Sequence, residues 1–218
     1  DCELGQIIAD AFRGVDETGI VTMEQTVESK TKVEIVDGVE YNKGLTNMAF
    51  ITSQSSKTAE LENPLILLVE SPVESIRKIQ SVLEYVIKNN KAFLIVADCE
   101  PAVISALAMN KNKGSIKVNI VPAPTHGVNR KEIFDDLALL TGATVVSENL
   151  GDDLDLIDLD CLGTCIKAVS TFKDTVFQVA EEQSEDIKLI IESIKEQLLI
   201  ESNPNKIVKL EKRLAMLA

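Results

Sequence analysis

The chain has 218 residues, of which 45% are hydrophobic and 26% are charged, a composition that is ordinary for a soluble globular protein. Its formal net charge of -13 argues against nucleic acid or an anionic membrane as a partner, because both attract basic surfaces. No apolar run approaches the ~20 residues that a membrane helix needs, and the acidic start Asp1-Cys2-Glu3 lacks the positive charge of a signal peptide.

The first segment is predicted to be an amphipathic helix followed by two extended pieces. Apolar residues recur at helical spacing at Leu4, Ile7, Ile8, Ala11 and Phe12. The extended pieces are residues 19–24 and 31–36. Gly38, just after them, is a predicted hinge because glycine tolerates backbone angles that other residues resist.

From there the pattern alternates between strands and helices. The predicted strands are residues 64–70, 91–98, 116–121 and 143–147, and the predicted helices between them are residues 72–89, 101–110 and 129–141. Continuous apolar runs such as residues 65–69 are typical of strands that are buried on both faces. The alternation predicts an α/β fold with a core rich in parallel strands.

The helix predicted over residues 101–110 is apolar on nearly every side. Pro101 suits the first turn of a helix, and only Ser105 is polar between Ala102 and Met109. A helix that packs on one face of a domain should carry polar residues on its opposite face. Either both faces of this helix are buried, or one apolar face is open to a partner.

The last third of the chain predicts two strands and a helical hairpin. The strands are residues 166–169 and 175–179. A long helix starts at Ser184, and a second helix starts at Asn203-Pro204, where asparagine caps the helix and proline takes its first position. Two apolar stripes joined by a short turn are typical of a helical hairpin.

Few residues in the sequence point to catalysis or to metal binding. It contains no phosphate-binding loop, no dinucleotide fingerprint and no nucleophile elbow. Cys161 and Cys165 would share one helix face as metal ligands, but no Cys-x-x-Cys pair accompanies them. We expect no metal site and reduced thiols, in keeping with an intracellular compartment. The only histidine, His126, is a conceivable general base, although its loop predicts a solvated side chain.

The order of several segments resembles that of the group I chaperonins of the GroEL type. The matching stretches are residues 4–11, 39–44, 130–145, 162–163, 172–175 and 210–218. The resemblance covers essentially all 218 residues, to the apical domain and the adjoining part of the intermediate domain. It implies an α/β, GroEL-like apical domain over residues 38–218, with β-sheets flanked by helices and a C-terminal helical hairpin. Residues 1–37 would be part of the intermediate domain.

The resemblance also implies a polypeptide-binding module in a protein-folding chaperonin. In the family, two adjacent helices and an extended segment form an apolar groove that holds non-native proteins and, later, a co-chaperonin of the GroES type. The positions that match this groove are Leu45, Ala49 and Phe50 in the segment, Gln80 and Leu83 on the first helix, and Ile104, Leu107, Ala108 and Met109 on the second. On this reading, serine in place of Leu83 or Met109 destabilises the fold only mildly.

The sequence departs from the family pattern in parts of this groove. The family usually has aromatic residues where Leu45 and Ala49 stand, and a leucine where Gln80 stands. The loop at residues 122–127 also differs from that of the family. We therefore expect a less aromatic groove than is usual in the family, with somewhat weaker binding or different clients.

The resemblance implies no cofactor and no enzymatic activity for this chain itself. ATP and Mg²⁺ would bind another domain of a longer, ring-forming chaperonin ATPase. Their binding there would cause this domain to swing about Gly38. Its compartment would be the bacterial cytoplasm or the lumen of a mitochondrion or plastid.

Two other functions remain open. One is a small-molecule α/β enzyme that uses His126 and carboxylates at the ends of the strands. The other is a scaffold domain whose terminal helical hairpin docks one fixed partner. Its apolar helix at 101–110 is fully buried, and a polar residue at Met109 destabilises the fold strongly.

Overall fold

The computed structural model describes residues 5–7, 9, 38–125, 130–179, 181–201 and 203–217. Residues 5–7 and 9 are helical, as the predicted N-terminal helix requires. The predicted strands at 19–24 and 31–36 lie outside the described residues, and so does His126. No helix in the described ranges is both long and apolar enough to span a membrane.

A mostly parallel sheet forms the centre of the fold. Its strands are β3 (Leu65–Val69), β4 (Ala92–Val96), β5 (Lys117–Val121) and β6 (Val145–Val146), in the order β5-β4-β3-β6, with β7 (Gly163–Thr164) antiparallel to β3. All five residues of β4 are buried, and β3 and β5 are buried at four of five positions. The parallel pairing of β3 with β4 and β6, and of β4 with β5, confirms the predicted parallel core. These strands are apolar along their length because a layer covers each face of the sheet.

A second sheet is antiparallel. It consists of β1 (Gly38–Tyr41), β2 (Ala59–Glu62), β8 (Lys167–Ser170) and β9 (Thr175–Gln178), in the order β1-β9-β8-β2. The sequence pattern predicts β8 and β9 but not β1 or β2. Those two strands have four residues each and alternate apolar side chains with glutamates, so their apolar pattern is too short to stand out without the partner strands.

Besides the helical residues 5–7 and 9, five α-helices are described. They are α1 (Gln80–Lys88), α2 (Pro101–Asn112), α3 (Arg130–Thr141), α4 (Glu181–Ile200) and α5 (Pro204–Leu217). All five were predicted, although α4 begins at Glu181 rather than at Ser184. The described fold is therefore a mixed α/β architecture with two sheets, several helices and a C-terminal helical hairpin.

The predicted helix at 72–89 is too long at its start. Only a 3-10 turn over Ile76–Ile79 precedes α1, and the Ser75 side chain caps that turn by accepting from the Arg77 amide. Val73 instead bonds across to the strand end after β4, where its amide donates to the Asp98 carbonyl at 2.8 Å and its carbonyl accepts from the Glu100 amide. These bonds hold residues 72–75 in an extended path, so no helix forms there.

The two faces of the parallel sheet belong to separate cores. One core contains alternate strand residues such as Leu67 and Phe93, together with the buried faces of α1 and α2. The other contains Ile66 and Leu94, together with α3, the antiparallel sheet and the terminal hairpin. The helices α1 and α2 are thus neighbours on one face, with α3 on the opposite face.

An ion pair between α3 and α5 joins the hairpin to the second core. The Arg213 guanidinium donates to both carboxylate oxygens of Asp136, with 2.7 Å from Nε to Oδ2. The Asp136 side chain is only 2% exposed, whereas that of Arg213 is 27% exposed. Burial raises the pKa of Asp136, and the charge and hydrogen bonds of Arg213 oppose that rise.

We expect Arg213→Met to destabilise the protein by about 3 kcal/mol at about pH 7, because it leaves a buried carboxylate without a counter-charge. Burial and the charges of Asp135 and Glu132 then raise the pKa of Asp136 without opposition, so its folded-state pKa lies further above its unfolded value. The folded variant takes up a proton first as the pH falls, and the destabilisation shrinks towards about pH 5. Urea unfolding at both pH values measures this.

Asp136→Asn is the matched control for this experiment. It removes the same ion pair but leaves Arg213, which is partly exposed and can be solvated. We expect a smaller loss, about 1 kcal/mol, with no matching recovery at low pH. Equal losses in both variants, with the same pH dependence, would contradict a buried charge as the cause.

Candidate functional site

An apolar groove of about 260 Å³ lies between α1 and α2. One wall is formed by Ile76, Gln80, Leu83, Glu84 and Ile87, and the other by Leu107, Asn110 and Ile116. The first wall follows helical spacing from the 3-10 turn to the end of α1, so it forms one continuous stripe. Five of these eight side chains are Ile or Leu, so the groove is suited to apolar groups.

The two helices are placed by the parallel sheet beneath them. The helix α1 follows β3 and α2 follows β4, and these strands pair in parallel, so the two helices lie side by side over the same face. Leu83, Leu107 and Ile116 are at most 7% exposed and form the floor of the groove. A floor that belongs to the core is held in place by the packing of that core.

The rim of the groove mixes apolar and polar side chains. Ile87 is 50% exposed at the end of α1. The Gln80 amide donates to the Glu84 carboxylate at 2.7 Å, one helical turn away, and the Asn110 amide donates to the Ala106 carbonyl at 2.9 Å. These polar groups bond within their own helices, so an apolar ligand would not have to break bonds between the two helices.

The segment at residues 45–51 packs against α2 rather than forming a wall of the groove. Its 3-10 turn, Met48–Phe50, contacts α2, and the Lys111 ammonium donates to the carbonyls of Ala49 and Ile51 at 2.8 and 2.7 Å. Gly44 lets the chain enter this segment, because a Cβ atom there would lie 2.3 Å from the Thr171 carbonyl oxygen. Leu45 and Ala49 are half-buried against the core on this side.

The structure does not bring all the predicted site residues together. Gln80, Leu83 and Leu107 line the groove. Phe50 and Ala108 are 0% and 7% exposed, so they support the surface from below, while Ile104 is half-buried. Met109 is 60% exposed on the outer side of α2. Gly38 begins β1, and nothing in the described residues tests a hinge there.

The outer side of α2 is open to solvent. Ala102, Ser105 and Met109 are all exposed, whereas Val103, Leu107 and Ala108 are buried. Of the two arrangements that the sequence allows for this apolar helix, the structure shows the one with an open face. The fully buried helix of the scaffold alternative does not fit this arrangement, and a polar residue at Met109 should be tolerated.

Sequence reasoning missed five of the residues that line the groove. They are Ile76, Glu84, Ile87, Asn110 and Ile116. The helical spacing of Ile76, Gln80, Leu83 and Ile87 was available in the sequence, but the stripe that points into the core is equally apolar. Ile116 lies beyond the end of α2, and only the tertiary fold brings it to the groove.

A polar cluster lies at the carboxyl ends of the parallel strands, and its groups form hydrogen bonds with one another. Arg130 is buried and donates to the Glu70 carbonyl at 2.6 Å, to the Asp98 carboxylate at 3.2 Å and to the Pro124 carbonyl. Its guanidinium also lies 5.5 Å from the centre of the Phe134 ring. These bonds tie together the loops after β3, β4 and β5, so Arg130 serves the fold.

Cys161 and Cys165 do not share a helix face. Cys161 ends a 3-10 turn, and Cys165 follows β7. Burial raises the pKa of Cys165 to about 12, and burial also raises that of Cys99 to about 12, so both remain thiols near neutral pH. No group of three potential metal-binding side chains occurs among the described residues.

No protein-family model matches this chain.

We expect Ile87→Ser and Met109→Ser each to lower the free energy of unfolding by less than about 1 kcal/mol, because half or more of each side chain is already in water. In contrast, Leu83→Ser should cost about 3 kcal/mol or more, because it removes a buried leucine and buries a hydroxyl. This corrects the expectation that serine at Leu83 is mild. Urea denaturation of the three variants makes the comparison, and a stable Leu83→Ser protein would contradict the burial of that side chain.

Proposed function

We propose that this chain is a polypeptide-binding module that captures apolar segments of non-native proteins in the groove between α1 and α2. The observation that carries the proposal is an apolar groove open to solvent, with a floor anchored in the core and an exposed isoleucine on its rim. Such a surface takes apolar side chains in extended or helical form without a fixed sequence.

The size of the groove supports weak and sequence-tolerant binding. Burying one leucine, isoleucine or phenylalanine side chain contributes roughly 1.5–3 kcal/mol. A groove of about 260 Å³ has room for only a few such groups, and the entropy lost on association offsets much of the gain. Met109, exposed on the outer side of α2, offers a flexible, polarisable contact to a client that extends past that helix.

The chemistry of the groove favours binding over catalysis. Glu84 is the ionisable side chain among the described residues that line it, and its carboxylate accepts a hydrogen bond from Gln80. A weak nucleophile needs an adjacent base to activate it, and Glu84 has no second ionisable side chain beside it among the described lining residues. The groove supplies apolar contacts instead, which is the requirement for holding a peptide.

The finer form of the proposal is the apical domain of a group I chaperonin. It draws on the resemblance of the sequence, and the α/β architecture with a C-terminal hairpin is compatible with it. In that role a co-chaperonin would compete with the client for the same groove. ATP and Mg²⁺ would bind elsewhere in a longer, ring-forming protein, in the bacterial cytoplasm or an organelle lumen.

The test is direct binding of a fluorescently labelled protein kept unfolded by reduction and carboxymethylation. We expect Ile87→Ser to weaken binding about fivefold, because the part of the isoleucine that a client covers is worth about 1 kcal/mol. The double variant Ile87→Ser/Met109→Ser should weaken it by more than tenfold. Fluorescence anisotropy measures the dissociation constants, and circular dichroism confirms that each variant is folded.

The double variant Leu139→Ser/Leu189→Ser is the matched control. Its two leucines are 44% and 65% exposed, close to the values for Ile87 and Met109, but they lie on α3 and α4. Unchanged binding in this control, with weakened binding in the groove variants, would support the proposal. Equal weakening in both would assign binding to exposed apolar surface in general, and no binding by the parent chain would refute the proposal.

A further inference from the structure

The groove has an acidic loop at one end. The turn Ile76–Ile79 begins the groove, and it packs against the turn Leu154–Leu156. That second turn belongs to the loop at residues 148–160, which carries six carboxylates and no lysine or arginine. The six carboxylates are Glu148, Asp152, Asp153, Asp155, Asp158 and Asp160, and all six residues are exposed.

Nearby cations do not balance this charge. Arg77 and Lys78 are the basic residues of the facing turn. The Lys78 ammonium lies 2.8 Å from a Glu148 oxygen and 3.9 Å from an Asp155 oxygen, so it is already shared between two carboxylates. The loop also exposes Leu150 and Leu156, each 78% accessible, so it offers apolar side chains as well as carboxylates to a ligand.

The opposite end of the groove is basic. Lys88 directly follows Ile87, while Lys113 and Lys117 stand on either side of Ile116. All three lysines are exposed. Lys111 is different, because its ammonium is bound to the carbonyls of Ala49 and Ile51 on the other side of α2.

We propose that the preferred occupant of the groove is an apolar polypeptide segment with a basic residue at one end and an acidic residue at the other. The basic residue of the bound segment lies on the acidic loop at 148–160, and its acidic residue lies near Lys88, Lys113 and Lys117. This inference rests on the proposed function and adds to it a client class and a direction of binding. The apolar core supplies affinity, and the two charged ends supply selectivity.

Attraction by the net charge of the chain predicts a different order of affinities from a groove with opposite charges at its two ends, so binding measurements can separate these two explanations. A chain with a net charge of -13 attracts any cationic peptide, and that attraction grows with the number of lysines. Segments with lysine at both ends would then bind best. The polarised groove instead prefers the segment with one charge of each sign, because a second lysine would face the basic end.

The experiment compares four labelled peptides with one common apolar core, flanked by lysine and glutamate, by two lysines, by two glutamates, or by two serines. Fluorescence anisotropy gives each dissociation constant. We expect the lysine–glutamate peptide to bind about two- to fivefold more tightly than either singly signed peptide, the range for exposed ion pairs. The preference should disappear in about 1 M salt, where the screening length is near 3 Å.

A variant that removes charge from the loop at 148–160 tests whether this loop is the acidic end of the groove. Asp153→Asn/Asp155→Asn keeps side-chain oxygens in place, including the Asp153 oxygen that accepts from the Asp155 amide. Because four of the six carboxylates remain, we expect it to reduce, by about half or more, the advantage of the lysine–glutamate peptide over the two-glutamate peptide. The control Glu192→Gln/Glu196→Gln removes two exposed charges from α4 and should leave that advantage unchanged.

The outcomes separate this inference from the proposed function. If the serine-flanked peptide binds and Ile87→Ser weakens it, while all four peptides bind alike, the groove is a binding site without charge selectivity and this inference fails alone. Tightest binding of the two-lysine peptide, or equal effects of the loop variant and its control, also overturns it. If no peptide binds, the proposed function fails as well.

Discussion

The constraint on which the structure depends is the burial of the parallel strands on both faces. Every residue of β4 is buried, so each face of the sheet must be covered by another layer. On one face that cover consists of α1 and α2, whose apolar sides join a single core. Because the cover is made of two separate helices, a seam remains between them, and the candidate binding groove is that seam.

The buried charged residues of the fold differ from the groove in the kind of contact they make. Arg130 and Asp136 are both buried, and each is held by ion pairs and hydrogen bonds that join separate elements. Paired in this way, a buried charge specifies how elements dock. The groove floor has no such requirement, because its contacts are apolar and non-directional. This difference explains why the one kind of site fixes the fold while the other suits varied ligands.

The sequence predicted the helices of the site better than the residues that form it. An apolar stretch at 101–110 indicated an unusual helix, and Gln80, Leu83 and Leu107 do line the groove. Met109 and Phe50 lie instead in solvent and in the core. Neighbouring residues on a helix differ by about 100° in direction, so only the docked position of α2 decides which of its apolar side chains faces α1.

By itself the sequence determined the alternation of strands and helices, since continuous apolar runs and helical stripes are local patterns. It also determined that α2 lacks a polar face. Tertiary structure alone decided that β1 and β2 become the two edge strands of a second sheet. It also decided the contact of the turn Ile76–Ile79 with the acidic loop and the place of Ile116 in the groove. The physical reason is that these contacts join residues far apart in the chain, where no local periodicity records which surfaces will meet.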